Sequence, residues 1–278
     1  MTDIQTTVLE LSHIHKRFGS VKALLGVSMT LTAGEVVALV GDNGAGKSTL
    51  IKVIAGVISP DDGIIRVKGQ AGHFRTPREA SQAGIETVYQ DLALAENLDT
   101  VTNLFLGHEL TRGPNLDEED MEEQARSVLA RLGARIPNLR APVASLSGGQ
   151  RQAIAIARSM IRQPTLVQLD EPTAALGVTQ THQVLELIGR LRAEGISVLV
   201  ISHNLADVFA VADRIVVLRL GRHVVTFRKS EVDSSQVVAA ITGVYRGEGD
   251  GDDALVQGNG NRSSSSLPHT PIEEAAEQ

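Results

Sequence analysis

The sequence contains no cysteine among its 278 residues. This absence excludes disulfide bonds, thiolate catalysis and cysteine-ligated metals, and it agrees with a reducing compartment. No apolar run approaches the roughly 18 residues that a membrane-spanning helix requires, so a role at a membrane would need a partner that crosses it. Residues 1–7 lack a basic stretch followed by an apolar one, and we therefore expect no secretory signal.

Positive charge is also scarce, since the formal net charge is −7. Residues 246–278 hold seven acidic and two basic side chains, which leaves a net charge of −2 on the rest of the chain. With a net charge so close to zero, the chain before residue 246 lacks the basic surface that nucleic-acid binding requires, so no nucleic-acid partner is expected. The final segment is rich in glycine, serine and acids, and we predict that 246–278 is a disordered acidic tail.

Short apolar segments alternate with helical ones along the rest of the chain. Strands are predicted at residues 8–11, 27–31, 36–40, 64–67, 85–89, 166–169, 197–201, 215–218 and 223–227. This alternation predicts an α/β fold with a mostly parallel sheet covered on both faces, after an N-terminal antiparallel β portion. A polar turn is expected to end at Phe18 and Gly19, and Ser234 is interpreted as the cap of a last helix that runs to Ile241, with Gly243 beyond it.

Residues 91–145 show few strand signals. Asp117 is a plausible helix cap, and apolar residues recur on one helical face after it. We interpret this region as a helical insertion that continues into the helix after Ser147, giving a helical subdomain at about 91–160 within a domain that spans 5–245. The alternative is that these helices simply belong to the main core.

A phosphate-binding loop follows the predicted strand 36–40. The pattern G-x-x-x-x-G-K-[ST] is matched by Gly41, Asp42, Asn43, Gly44, Ala45, Gly46, Lys47 and Ser48. A helix follows, so backbone N–H groups and the positive end of the helix dipole surround one anion. Lys47 can reach the β- and γ-phosphates, Ser48 can ligate Mg²⁺, and Thr49 adds a hydroxyl nearby.

Polar residues stand at the ends of three further predicted strands, where parallel sheets bind ligands. Asp170 can hold Mg²⁺ opposite Ser48, and Glu171 can act as the general base toward water. Gln90 can reach the metal and the attacking water, and His203 the γ-phosphate. The alternatives are surface acids at a strand end and a structural histidine.

A second phosphate-binding helix start is predicted at Ser147, Gly148, Gly149 and Gln150. One nucleotide has no use for two such sites in one subunit. The economical arrangement is a two-fold homodimer in which each subunit offers this segment to the other subunit's ATP.

The segment 146–150, Leu-Ser-Gly-Gly-Gln, resembles the signature of ATP-binding cassette (ABC) ATPases, and residues from about 8 to 245 follow that pattern in order. The resemblance implies a P-loop NTPase core of the RecA-like kind with ATP and Mg²⁺ as cofactors. It also implies that Phe18 stacks on adenine, that Gln90 contacts a membrane subunit, and that Asp170 binds Mg²⁺. Glu171 would be the catalytic glutamate and His203 the switch histidine.

Two positions depart from the family pattern, because Gly177 replaces the usual aspartate and Gln168 is polar in a strand that is usually apolar. Segments 84–90, 171–177 and 201–204 more closely resemble the ATPases of bacterial fructose, ribose and xylose importers, where a glycine at 177 is familiar. This resemblance implies a peripheral protein on the cytoplasmic face of the membrane, an integral membrane permease and an extracytoplasmic sugar-binding protein. The alternatives are a soluble ABC ATPase acting on ribosomes or DNA, a catalytically degraded regulatory module, an exporter, or an importer of another substrate.

Overall fold

The computed structural model describes residues 6–245, so the predicted acidic tail lies outside the described range. The strands are β1 (Thr7–Phe18), β2 (Val21–Thr32), β3 (Val36–Val40), β4 (Asp62–Val67), β5 (Gln70–Gly72), β6 (Ile85–Val88), β7 (Thr111–Arg112), β8 (Asn115–Leu116), β9 (Leu166–Asp170), β10 (Ser197–Ile201), β11 (Arg214–Arg219) and β12 (Arg222–Arg228). The α-helices are α1 (Lys47–Ile54), α2 (Pro77–Gln82), α3 (Thr100–Phe105), α4 (Glu118–Arg131), α5 (Gly148–Met160), α6 (Val178–Ala193), α7 (Leu205–Val211) and α8 (Ser234–Thr242).

The central sheet has six strands in the order β12-β11-β3-β10-β9-β6. Every neighbouring pair is parallel except the edge pair β11 and β12. All residues of β3 and β10 are buried, as expected for strands covered on both faces. The predicted mostly parallel sheet is therefore confirmed.

A second, antiparallel sheet has the order β2-β1-β4-β5, which confirms the predicted N-terminal β portion. The turn predicted to end at Phe18 and Gly19 lies at Gly19 and Ser20, because β1 continues to Phe18. Its backbone stays paired with β2, with Arg17 opposite Lys22 and Phe18 opposite Val21. An irregularity in the pairing between Leu11 and Ile14 absorbs His13, whose φ is +52°.

Two large apolar clusters join the layers. One packs α1 between the central sheet and the antiparallel sheet, and it includes Leu9, Leu39 and Leu50. The other joins α3, α4, α5 and α6 to the opposite face of the central sheet, and it includes Ile154 and Val167. The division of a helical subdomain from the core stays a prediction.

Helix ends agree with the sequence signals at most points. Asp117 caps α4, and Gly243 follows α8 with a φ of +83°. The predicted cap at Ser234 is wrong, because the side chain of Asp233 accepts a hydrogen bond from the backbone N–H of Gln236 at 2.9 Å. Within residues 6–245, no helix is long and apolar enough to cross a bilayer.

Asn103 in α3 is fully buried and fixes the segment between Gln90 and α3. Its Oδ1 accepts from the N–H of Ala95 at 2.8 Å, and its Nδ2 donates to the carbonyls of Ala95 and Asp99 at 3.0 and 2.9 Å.

Replacing Asn103 by Ala leaves the Ala95 N–H without this partner, so we expect a loss of about 3 kcal/mol in the free energy of unfolding. Urea unfolding measures it. Asn115→Ala, at the exposed start of β8, is the matched control. A loss below about 1 kcal/mol in Asn103→Ala would contradict the structural role given to Asn103.

Candidate nucleotide-binding and catalytic site

Strand register brings the predicted site residues to one edge of the central sheet. Leu39 of β3 pairs with Ile201 of β10, and Ile201 pairs with Asp170 of β9. Val88 of β6 pairs with Leu169 of β9. The loops that follow these four strands carry the phosphate-binding loop, His203, Glu171 and Gln90, so their positions at a common edge follow from the register.

Two glycines of the phosphate-binding loop are required by its close approach to neighbouring backbone. Gly41 has a φ of +153°, and a Cβ there would lie 2.2 Å from the carbonyl oxygen of Leu218. Gly46 has a φ of +104°, and a Cβ there would lie 2.7 Å from the carbonyl oxygen of Ala23. Gly44 has a φ of +80° with open space around it. The loop can therefore keep this shape only with glycine at positions 41 and 46.

Lys47 folds back onto its own loop. Its Nζ donates to the carbonyl of Gly41 at 2.6 Å and to that of Asp42 at 3.0 Å. Burial lowers the pKa of Lys47, while the negative charges of Glu171, Asp42 and Asp170 act in the opposite direction. The ammonium group is thus held between the loop and the two acids at the end of β9, where a nucleotide phosphate would need a positive charge.

The acids at the end of β9 have different environments. Burial, with a smaller contribution from the charge of Glu171, raises the pKa of Asp170, while Lys52 and Lys47 act in the opposite direction. A cation at this carboxylate would offset that effect. Burial, with a contribution from Asp170, also raises the pKa of Tyr89. Tyr89 therefore lies beside the site. No motif in the sequence marks this residue, although it directly precedes Gln90.

Glu171 and His203 are in direct contact. The Nδ1 of His203 lies 2.8 Å from Oε2 of Glu171, and the histidine side chain is three-quarters exposed. Glu171 has a φ of +50°, an uncommon backbone conformation for a non-glycine residue, and its N–H donates to the carbonyl of Ile201 at 2.9 Å. The structure therefore joins the predicted base to the predicted switch histidine, a contact that no sequence pattern indicated.

A cavity of about 420 Å³ adjoins the phosphate-binding loop. It is lined by Val40, Gly41, Asp42, Asn43, Ser202, His203, Leu205 and Ile241. The loop and the segment after β10 thus share one concave surface.

The remaining predicted residues occupy accessible positions around the loop. Ser48 is exposed and Thr49 half-buried in the first turn of α1, whereas Ala45 is buried. Gln90 is exposed two residues after β6. Phe18 is 47 % exposed at the end of β1, with Nζ of Lys16 5.6 Å from its ring centroid. An exposed aromatic ring is available for stacking, and its contact with adenine stays a prediction.

Serine, amide and carboxylate oxygens are ligands suited to Mg²⁺, which also keeps several waters and phosphate oxygens. Ser48, Gln90 and Asp170 provide one of each kind. Within the described part of the chain, no group of three or more histidine and acidic side chains is arranged to hold a metal. The binding of Mg²⁺ by these three residues stays a prediction.

The segment Ser147–Gln150 forms a capping box at the start of α5. The Ser147 hydroxyl accepts from the N–H of Gln150 at 3.3 Å, and Oε1 of Gln150 accepts from the N–H of Ser147 at 2.9 Å. A Cβ at Gly148 would lie 2.9 Å from the side chain of Leu176. Among residues 6–245, no hydrogen bond joins this segment to the phosphate-binding loop, so its binding to phosphate stays a prediction.

Gly177 and Gln168 are the two positions that depart from the family pattern, and their surroundings in the structure differ. Gly177 precedes α6 with φ −73° and ψ 164°, and an added Cβ would meet no atom within 4 Å. Gln168 is fully buried in β9, and its Nε2 donates to the Thr87 hydroxyl on β6 at 3.1 Å. Its Nε2 therefore serves a cross-strand hydrogen bond, whereas its buried Oε1 has no partner within the described residues.

A glycine-rich loop between strand and helix, with two acids at the end of another parallel strand of the same sheet, defines a P-loop nucleotide-hydrolysing protein. The profile of the ABC transporter family matches residues 24–174. The chain belongs to this family, and it is an ATP-binding protein and an ATPase.

Curated relatives match most of the chain. It is 45% identical over 241 residues to the xylose/arabinose import ATP-binding protein XylG of Sulfolobus acidocaldarius, covering 87% of this chain and 96% of the relative. It is 46% identical over 247 residues to the fructose import ATP-binding protein FrcA of Rhizobium meliloti, covering 86% and 95%. A ribose import ATP-binding protein of Escherichia coli is 42% identical, and the match covers only 47% of its length.

Solved structures show the same fold. A nucleotide-free ATP-binding cassette from an ABC transporter is 29% identical with a TM-score of 0.75, covering 84% of this chain and 98% of the other. Another cassette, in its ADP conformation, is 28% identical with a TM-score of 0.75, covering 85% and 99%. The predicted fold class is therefore confirmed.

Proposed function

We propose that this chain is the ATP-hydrolysing subunit of an ABC importer that takes up a sugar, most simply a monosaccharide. The observation that carries the proposal is the 45–46% identity to the xylose/arabinose and fructose import ATP-binding proteins over 95–96% of their length. The phosphate-binding loop, both acids of β9 and His203 are all present, which disfavours a catalytically degraded module.

The residues at the sheet edge divide the chemistry of ATP hydrolysis. Lys47 and the loop N–H groups bind the phosphates, and Glu171 accepts a proton from the attacking water. His203, already in contact with Glu171, orients that carboxylate and faces the γ-phosphate. Ser48, Asp170 and Gln90 would hold Mg²⁺, which neutralises charge that develops on the phosphates.

We further propose a homodimer in the ATP-bound state. Ser147 and the glycines after it begin a helix, and their N–H groups lie at its positive end. This start packs beside α6, next to Gly177, and its outward face suits the nucleotide of a second copy. Residues that bind one ATP then come from both subunits, which is the reason for the reciprocal two-fold arrangement.

The membrane permease would dock in a groove beside Gln90. A cavity of about 950 Å³ there is lined by Ala55, Pro77, Arg78, Ser81, Gln82, Ile85, Glu86, Thr87, Tyr89, Gly107, His108 and Arg162. The cavity extends to Tyr89, which directly precedes Gln90. A movement of Gln90 on nucleotide binding would therefore be passed to the docked permease over a short stretch of the chain. On this proposal the chain is a peripheral protein of the cytoplasmic face, and a sugar-binding protein delivers the sugar from outside.

Co-purification tests the importer. Tagged Glu171→Gln, expressed in the native cell and extracted from membranes with ATP and Mg²⁺, should retain a multi-span permease, because the ATP-bound assembly cannot reset. A sugar-binding protein encoded or isolated with that permease would then identify the sugar by ligand screening. Recovery of ribosomal or DNA-repair proteins without a permease would overturn the proposal and favour a non-transport ABC ATPase.

A further inference from the structure

Arg158 lies near the end of α5, the helix that begins after Ser147. Its Nη1 donates to the carbonyl of Ala93 at 2.9 Å, and its Nη2 donates to the carbonyl of Leu92 at 2.8 Å. These two carbonyls belong to the turn that directly follows Gln90. The guanidinium therefore ties the helix of the predicted second phosphate-binding segment to the residue predicted to reach the metal and the attacking water.

The turn after Gln90 has a shape that needs support. Ala93 has a φ of +49°, a conformation that costs a non-glycine residue roughly 1 kcal/mol or more. The side chain of Asp91 accepts from the N–H of Ala93 at 3.1 Å, and Arg158 holds the carbonyl side of the same residue. A guanidinium presents its N–H groups in a fixed plane, so two adjacent carbonyls are held in one orientation.

The guanidinium of Arg158 hydrogen-bonds to the backbone carbonyls of Leu92 and Ala93 and forms no ion pair within residues 6–245. Arg151 on the same helix, by contrast, pairs with Glu96 at 3.1 Å. Burial lowers the pKa of Arg158, while the charge of Glu86 acts in the opposite direction. A guanidinium stays charged in proteins, so its bonds to neutral carbonyls are correspondingly strong.

The helix that carries Arg158 is firmly packed. Nine residues of α5 are buried, and several of them pack with α3, α4 and α6 in one apolar cluster. Close-packed interiors resist displacement, so the guanidinium has a fixed place from which to hold the two carbonyls.

We propose that Arg158 is a positioning residue for Gln90. It holds the turn 91–93 so that the Gln90 amide meets the metal and water. The inference rests on the proposed role of Gln90 in ATP hydrolysis.

Three variants of the full chain test this role: Arg158→Met, Arg158→Lys and the control Arg151→Met. Arg158→Met keeps an unbranched apolar stem without the guanidinium, and we expect its kcat to fall roughly 10- to 100-fold with little change in KM for ATP. Arg158→Lys keeps the charge with a single donor head, so an intermediate kcat is expected. Arg151→Met, which breaks an exposed contact between the same helix and the same connecting segment, should keep the wild-type kcat.

Hydrogen exchange followed by mass spectrometry reports the turn itself. Faster exchange confined to residues 90–96 in Arg158→Met, and absent in Arg151→Met, supports the proposal. Unchanged exchange in that segment would overturn it. Should Arg158→Met fail to fold, Arg158→Lys provides the same two readouts.

A double-mutant cycle separates this inference from the proposed function. In a Gln90→Ala background, Arg158→Met should cause no further loss of kcat, because it acts through the missing amide. A full additional loss would overturn the positioning role. If Gln90→Ala hydrolyses ATP at the wild-type rate, the proposed role of Gln90 in hydrolysis is wrong, and so is the positioning role of Arg158. If Gln90→Ala is impaired while Arg158→Met is not, only the inference about Arg158 is wrong.

Discussion

Replacing Glu171 by Gln should leave nucleotide binding intact and lower ATP turnover by roughly 10²- to 10⁴-fold. The amide has the size of the carboxylate but cannot accept a proton from the attacking water. Glutamine also keeps an oxygen that can face Nδ1 of His203, which lies 2.8 Å from the native carboxylate. Because the side chain keeps its length, the backbone with its φ of +50° has no reason to change.

Phosphate release measures the turnover, and the fluorescence of a bound nucleotide analogue measures the affinity. Glu186→Gln is a matched control, because Glu186 also faces a histidine, Nε2 of His182 at 3.2 Å, but on the exposed side of α6. This control should behave as wild type. Turnover of Glu171→Gln within tenfold of wild type would show that another group is the base.

Replacing Lys47 by Ala should abolish measurable ATP binding at concentrations that saturate the wild type. The ammonium contacts the loop carbonyls of Gly41 and Asp42 and lies within the field of Glu171 and Asp170. Its removal leaves two acids facing the nucleotide phosphates without a compensating charge. Loss of one charged hydrogen bond costs about 1.5–3 kcal/mol, and the uncompensated repulsion adds to it, so affinity should fall by about 100-fold or more.

Isothermal titration with ATP and Mg²⁺ measures this affinity. Lys52→Ala provides the comparison, since Lys52 carries the same charge on the same helix, is exposed, and is near enough to Asp170 to affect its pKa. We expect a change of about threefold or less, which is the scale of screened surface electrostatics. If both variants bound ATP equally well, position in the loop would not matter, and the assigned role of Lys47 would be wrong.

The sequence predicted the central sheet well because its strands are buried on both faces. Residues 36–40 and 197–201 are short apolar runs, and the structure places β3 and β10 at those same bounds. Once parallel order is expected, polar residues at the ends of such runs must meet at one edge. Asp170, Glu171 and His203 could therefore be placed together from the sequence.

Very short strands and contacts between distant side chains escaped the sequence. β5, β7 and β8 are two or three residues long and mostly exposed, so they have no hydrophobic period to detect. The contact between Glu171 and His203 joins residues 32 apart, and the bonds from Arg158 to Leu92 and Ala93 join residues at least 65 apart. Alternation and capping signals are local, and therefore no pattern of that kind reports these contacts.

The conformation of Gly177 separates the needs of folding from those of assembly. Its φ of −73° suits any residue, and a side chain there would point into open space. Aspartate or serine could therefore replace it without distorting the start of α6, and either would be a good first residue for that helix. Nothing in the described fold of the protomer therefore requires glycine at 177. In the proposed homodimer, one substitution here would alter how strongly the two ATP sites sense each other and leave the fold of each protomer intact.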